Sequence, residues 1–303
     1  MTTLPLSTFS RQENFHGRLA RFTNRAVMTL CCLAAISTIL LLFSIFGYIV
    51  WQGLSNIHWS LFTRLPAPTD EVGGMRNSIA GTLVLIALGS ALGIPVGLLS
   101  GIYLAEYARE SLLNHGIRLV IDVLASVPSI LVGVLASQLV VVPMGHNSAW
   151  AGAVALGFMM CPIVARTTEE MLKLVPRSLR EASIGLGGSK FQTLAKVILP
   201  AASAGIITGI MLAVARVAGE TAPLLFTTMD SDQPVFSHSA SFPYFMEVNS
   251  TFPTLTAHIF KYATSGEPAW INEAWGGMLV LISMVLLLNL AVRVTIHRAR
   301  RIR

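Results

Sequence analysis

The chain has 303 residues, 53% of them apolar and only 12% charged, with a formal net charge of +6 and a mean hydropathy of +0.67. A soluble domain carries about a quarter of its residues charged to coat its surface. Half that fraction excludes an ordinary soluble protein and places the chain in lipid, and the basic excess gives no reason to invoke nucleic acid.

A helix needs roughly 20 mainly apolar residues to cross the hydrocarbon core, and six segments are predicted to do so. After a basic tail (1–25) comes Ala26–Trp51, too long for a signal-peptide core and without a clean small-residue cleavage site, hence a retained helix. A polar stretch (52–76) follows, with Trp51, Trp59 and Phe62 as interfacial aromatics. The remaining spans are Asn77–Leu104, Leu119–Pro143, Ser148–Ala165, Ser203–Met229 and Ala274–Val292, and 77–292 reads as one packed domain. None of the six alternates like a barrel strand, so the class is an all-α membrane protein with six transmembrane helices.

Small residues recur every fourth position: Gly89, Gly93, Gly97 and Gly101; Ala149, Ala153, Gly157, Cys161 and Ala165; Ala201, Gly205, Gly209 and Ala213. Each set forms one helical stripe along which backbones can approach closely. Pro95, Pro128 and Pro162 fall inside spans and favour kinks. The loop 230–272 holds Asp230, Asp232, Glu247 and Glu267 against one lysine, and Phe252–Tyr262 could form a short amphipathic helix that dips into the membrane or meets an external partner. Cys31, Cys32 and Cys161 lie in spans without metal or disulfide spacing.

Orientation follows from the cations. The N-terminal tail (Arg11, Arg18, Arg21, Arg25), the loop after span two (Arg109, Arg118), the loop after span four (Arg166 to Lys196) and the C-terminal tail (293–303) alternate on one side. Together they hold 17 of the 21 Lys and Arg. The positive-inside rule makes these regions, and both termini, cytoplasmic.

The cytoplasmic loop 175–200 carries the sharpest signal. Pro176 suits a first helical turn, and Leu179, Ala182, Ser183 and Leu186 share one face. Gly187-Gly188 ends that helix as a left-handed cap, and Ser189 with Gln192 forms a capping box that starts the next. The predicted shape is helix, sharp turn, helix. Glu181-Ala182-Ser183, three residues, Gly187, nine residues, Val197-Ile198-Leu199-Pro200 resembles the EAA loop of ABC importer permeases, departing from it at Ser183 and Val197. The resemblance implies a type I ABC importer permease fold and a short helix, Glu181 to Gly187, seated in a groove of an ATPase subunit. Leu199 and Pro200 close the motif. A P-loop needs Gly-x4-Gly-Lys-Ser/Thr, and no Gly-Lys pair occurs. The chain is therefore expected to be no enzyme and to hold no cofactor, with ATP and Mg on the partner ATPase.

Ionisable residues within spans are candidates for function. Arg216 falls in the fifth span, about 20 Å along a helix counted from Ser203, with Glu220 at i+4 within pairing reach. Either the two neutralise each other and fix packing, or Arg216 faces the pathway and attracts an anion while Glu220 tunes it. Arg166, at the inner end of span four, is either a cytoplasmic anchor or an anion exit site, and Asp122 caps or pairs. The stretches around Arg216 and Glu220, Gly101–Tyr107 and Arg166–Pro176 resemble the phosphate-importer branch of the permease family over most of 77–292. That resemblance implies a phosphate pathway through Arg216, Glu220 and Arg166. It also implies a second permease subunit, two ATPase subunits and an extracytoplasmic phosphate-binding protein, with lipid as the surroundings. The rivals are a permease for molybdate or sulfate, a channel or scaffold that needs no docking loop, and an intramembrane enzyme, which the scattered histidines oppose.

Overall fold

A computed structural model describes residues 7–68, 73–108, 111–232, 235 and 248–301, with side chains of the first and last helices described between residues 20 and 294. The side chains of Arg11, Arg18, Arg298, Arg300 and Arg301, and the residues Arg109, Glu247 and Arg303, lie outside what is described.

Every regular element among the described residues is helical. The chain divides into two units, Met1–Gln52 and Gly53–Arg303. The first holds most of α1 (Ser7–Asn56), whose apolar side chains from Val27 to Tyr48 are exposed on all sides, as a helix meant for lipid or another protein must be.

The second unit begins with the short α2 (Trp59–Thr63), in which Leu61 is buried while Trp59 faces outward. There follow α3 (Arg76–Ile102), extended by a π-helical turn at Tyr103–Tyr107; α4 (Leu112–Ser126); α5 (Ser129–Ala136), extended by a π turn at Ser137–Val141; α6 (Val142–Met144); and α7 (Ala149–Lys173). Next come α8 (Arg177–Gly185), α9 (Lys190–Thr193), a π turn at Leu194–Ile198, α10 (Leu199–Ala218), α11 (Ala222–Thr227), α12 (Leu255–Ala263) and α13 (Pro268–Arg301). Among the described residues, five helices are long and apolar enough to cross a membrane: Ala20–Asn56, Arg76–Tyr107, Ala149–Lys173, Lys190–Ala218 and Pro268–Val294. A sixth crossing exists if the bent pair α4 and α5–α6 counts as one.

Two predicted spans are therefore corrected. Leu119–Pro143, expected to kink at Pro128, lies in a bent pair with wider bounds, Leu112–Ser126 and Ser129–Met144, whose axis turns by 105°. Pro128 lacks an N–H and forces the residue before it out of the helical region, and Val127 is extended at φ −63°, ψ 131°. Ser203–Met229 is likewise two pieces. A continuous helical run from Lys190 ends at Ala218, and α11 starts afresh with Pro223 in its first turn.

The glycine stripe sets the core. A methyl group at Gly93 falls 2.7 Å from the Gly157 carbonyl, at Gly97 2.7 Å from the Cys161 carbonyl, and at Gly101 2.5 Å from the Ala165 carbonyl. All four stripe glycines of α3 lie on successive turns of α7, so the two helices run parallel with backbones touching. Helix α10 runs the other way: Gly205 lies against Met171 and Gly209 against Thr167. Leu85, Leu156, Met160, Val164, Ala213 and Val217 fill the space among the three.

The helix expected in the loop 230–272 exists, over Leu255–Ala263, and is mostly buried. In α12, Leu255, Thr256, Ala257, His258, Ile259 and Tyr262 are buried, and the helix packs on α13 and α3. Leu255 N–H donates to Thr82 Oγ1 (2.7 Å) and Thr256 Oγ1 to the Glu220 carbonyl (3.0 Å).

Candidate functional site

The loop between α7 and α10 forms the expected knuckle. Pro176 precedes α8, and Gly187 takes φ +85°. Gly187 N–H bonds the Ile184 carbonyl (2.9 Å) and Gly188 N–H the Ser183 carbonyl (3.0 Å), a Schellman cap. The Ser189–Gln192 capping box is complete in both directions. Ser183, where the EAA pattern has alanine, shares a 2.8 Å hydrogen bond with Thr193 and so fastens α8 to α9.

Glu181, Ala182 and Gly187 are exposed on this knuckle. Beside them Leu179, Ile184, Leu186 (89% exposed) and Phe191 (70%) also face outward. Leu199 is half-buried and Pro200 exposed at the start of α10. There Leu199 packs on a small core of Leu172, Val175, Leu194, Ile198, Ala202 and Ile206 that roots the knuckle on the bundle.

The root also holds ion pairs. From α8, Arg180 reaches Glu106 Oε1 (2.7 Å), the Leu172 carbonyl (2.8 Å) and the Val175 carbonyl (2.6 Å). Lys190 lies 4.4 Å above the Tyr107 ring. Glu169, 2% exposed on α7, accepts from Arg118 of α4 (2.9 Å) and Lys173 (2.5 Å), and Arg118 also donates to the Leu104 carbonyl. Sequence reasoning gave none of these pairs, because Glu106 and Arg180 are 74 positions apart and Arg118 and Glu169 are 51 apart. The available hint was an acid just beyond each predicted span end, Glu106 after Leu104 and Glu169 after Ala165, beside a loop rich in cations.

Arg216 and Glu220 sit at the break between α10 and α11. Thr167 of α7 opposes Gly209, so seven residues further along α10 brings Arg216 level with Met160. That is the middle of α7. Arg216 is thus at the end of its helix yet halfway along its neighbour. Its Nε lies 3.8 Å from Glu220 Oε1, with side-chain exposures of 52% and 17%. Locked pairs in this protein are closer and drier: Arg180 with Glu106 at 2.7 Å has exposures of 22% and 11%. The Arg216 guanidinium keeps more donors free to meet an anion than Arg180, three of whose donors are engaged.

Arg166 is elsewhere on α7, about 9 Å nearer the Lys173 end than Met160. It donates to Glu170 (2.9 Å) and stands 3.7 Å from Asp122 of α4, all three roughly half-exposed. The structure brings Arg166 together with two acids, and Arg216 with one. At the opposite end of the bundle, Asp230, Asp232 and His258 bring ligand atoms within 4.8 Å of one another, a spacing that suits a metal ion. Lys261 Nζ already stands 3.3 Å from both carboxylates and supplies the positive charge. Burial draws the Lys261 pKa down, but the two acids outweigh it and leave it raised.

The family model for binding-protein-dependent transport system inner membrane components matches residues 93–299. The chain belongs to that family. Among its relatives, the phosphate transport system permease protein PstA of Yersinia pestis is 43% identical over 264 residues, covering 84% of this chain and 85% of that one. The PstA of Xylella fastidiosa strain Temecula1 is 39% identical, covering 92% and 94%. A crystal structure of a bacterial ABC transporter that imports the polysaccharide alginate superposes with a TM-score of 0.56 at 15% identity, over 91% of this chain and 98% of that one. The fold of this permease is that of type I ABC importer permeases, and it is a multi-pass protein of the cytoplasmic membrane.

Proposed function

We propose that this permease forms half of the phosphate pathway of an ATP-driven importer. The observation that carries the reading is a loosely paired guanidinium at the middle depth of the bundle, where α10 breaks. A half-exposed cation at that depth is costly without a function, and guanidinium presents several donors to a tetrahedral oxyanion. Close relatives named for phosphate transport support the choice of ion.

In this reading the knuckle lies in the cytoplasm with both chain termini. Glu181 to Gly187, with Leu179, Ile184 and Leu186 around them, meet one of two separate ATPase subunits that bind ATP and Mg. A second permease subunit supplies the other wall of the pathway, and an extracytoplasmic binding protein delivers phosphate to the end where α12 sits. Arg216 attracts the anion at the midpoint and Glu220 limits how tightly it is held. Arg166, outnumbered by Glu170 and Asp122, offers the anion no net attraction and so does not hold it on its way to the cytoplasm.

The test is ATP-dependent uptake of labelled phosphate by the reconstituted complex, challenged with sulfate and molybdate. Phosphate uptake that resists both competitors supports the reading. Uptake suppressed by either at equal concentration assigns the pathway to that oxyanion instead.

A further inference from the structure

The Arg180 side chain joins α8 to the end of α7 just before it and to the end of the α3 span, 74 positions away in the sequence. It starts on α8, the exposed helix of the knuckle. One terminal nitrogen bonds the Val175 carbonyl (2.6 Å), and the other bonds the Leu172 carbonyl (2.8 Å) and Glu106 Oε1 (2.7 Å). Leu172 and Val175 are the open carbonyl end of α7, and a cation there also meets the negative end of the helix dipole. Glu106 belongs to the π turn that ends the α3 span. Both partners are well covered, at 22% and 11% exposure, so solvent weakens the link little.

A surface anchor for α8 needs no such arrangement: Pro176, the Schellman cap and the Ser183–Thr193 bond already hold the knuckle's shape. What Arg180 adds is a directional, charged tie from that shape to the end of the α3 span, beside the apolar packing of Leu98, Ile102 and Ala105 on the knuckle's root. Lys190 over Tyr107 adds a second, weaker tie to the same turn.

We propose that Arg180 and Glu106 are positioning residues that make the knuckle, the end of α7 and the end of α3 move as one piece, so that a push on α8 reaches the core helices. This rests on the transport reading above. The Arg180 fork performs a task that lysine cannot, because three acceptors lie in different directions around one planar group.

The decisive variant is Glu106→Gln. It leaves Arg180 on its two backbone carbonyls, and so leaves α8 seated on α7, while removing the charge that ties it to α3. Arg180→Lys is the companion variant. Each is measured in the full reconstituted complex for co-purified ATPase, for ATP hydrolysis, and for oxyanion moved per ATP consumed. We expect both complexes to assemble and to hydrolyse ATP within about twofold of wild type, with oxyanion moved per ATP lowered about tenfold. An unchanged ratio overturns the proposal. So does a Glu106→Gln complex that fails to assemble, because the pair then serves only to hold the fold. The ratio is taken for whichever oxyanion the wild-type complex carries, so an error in the choice of phosphate is read separately.

Discussion

At the scale of single residues, the contrast is between cations that are held and a cation that is not. Arg118 and Arg180 are fixed by short bonds, whereas Arg216 is 3.8 Å from its acid and half-exposed. Replacing Arg216 by Gln is expected to abolish ATP-dependent uptake while the purified complex keeps its subunit composition; loss of the complex instead would make the pair with Glu220 a packing device. Replacing Arg118 by Met should act oppositely. It leaves Glu169 with Lys173 alone and removes the charge-assisted hydrogen bonds from Arg118 to the buried carboxylate and to the Leu104 carbonyl, a loss that destabilises. Lower yield and a lower thermal-inactivation temperature are expected, and gel filtration at graded temperatures checks this. The Arg216–Glu220 pair was legible because an i,i+4 spacing on a helix is a statement about distance. Glu106–Arg180 and Arg118–Glu169 were not, because only the packed bundle brings those partners together.

At the scale of elements, the knuckle was the most legible part of the chain. Its helix, its cap and its restart each depend on local residues, namely Pro176, Gly187 and the Ser189–Gln192 box. Replacing Gly187 by Ala meets open space but a φ of +85°, which costs on the order of 1 kcal/mol for a residue with a Cβ. Gly185 also meets open space, without that backbone demand. Uptake is expected to fall for Gly187→Ala and to stay near wild type for Gly185→Ala. A charge reversal, Glu181→Lys, should leave membrane insertion intact and separate ATP hydrolysis from transport, measured as phosphate moved per ATP. The broken spans were less legible. Pro128 announced a kink but not one of 105°, since the angle is decided by what the second piece packs on. In α5 that partner is α11, whose Pro223 fits against Gly133. The Gly219–Thr221 break in the fifth span carried no proline signal of its own, only the one at Pro223 after it.

At the scale of the whole second unit, the direction of each helix follows from which glycine meets which carbonyl. The four-residue stripes in the sequence marked the surfaces of contact, but spacing alone could not tell parallel from antiparallel neighbours. Filling the stripe should be severe at its centre. A leucine at Gly93 meets the Gly157 carbonyl and Met160 Cβ at once, and overpacking of this kind costs about 1–3 kcal/mol or more. We expect Gly93→Leu to lower the amount of folded protein recovered in detergent, and Gly116→Leu, which faces open space, to leave it unchanged.

The seam between α3 and α7 has a mechanical corollary. Two rods pressed together along a row of glycines, so close that an added methyl would collide, have little cushion to compress and little slack to slide on. They behave as a keel. If the space beside Arg216 widens or narrows, the change is expected at the parts already severed, the elbow at Val127–Pro128 and the gap at Gly219–Thr221, while α3 and α7 shift together as one unit.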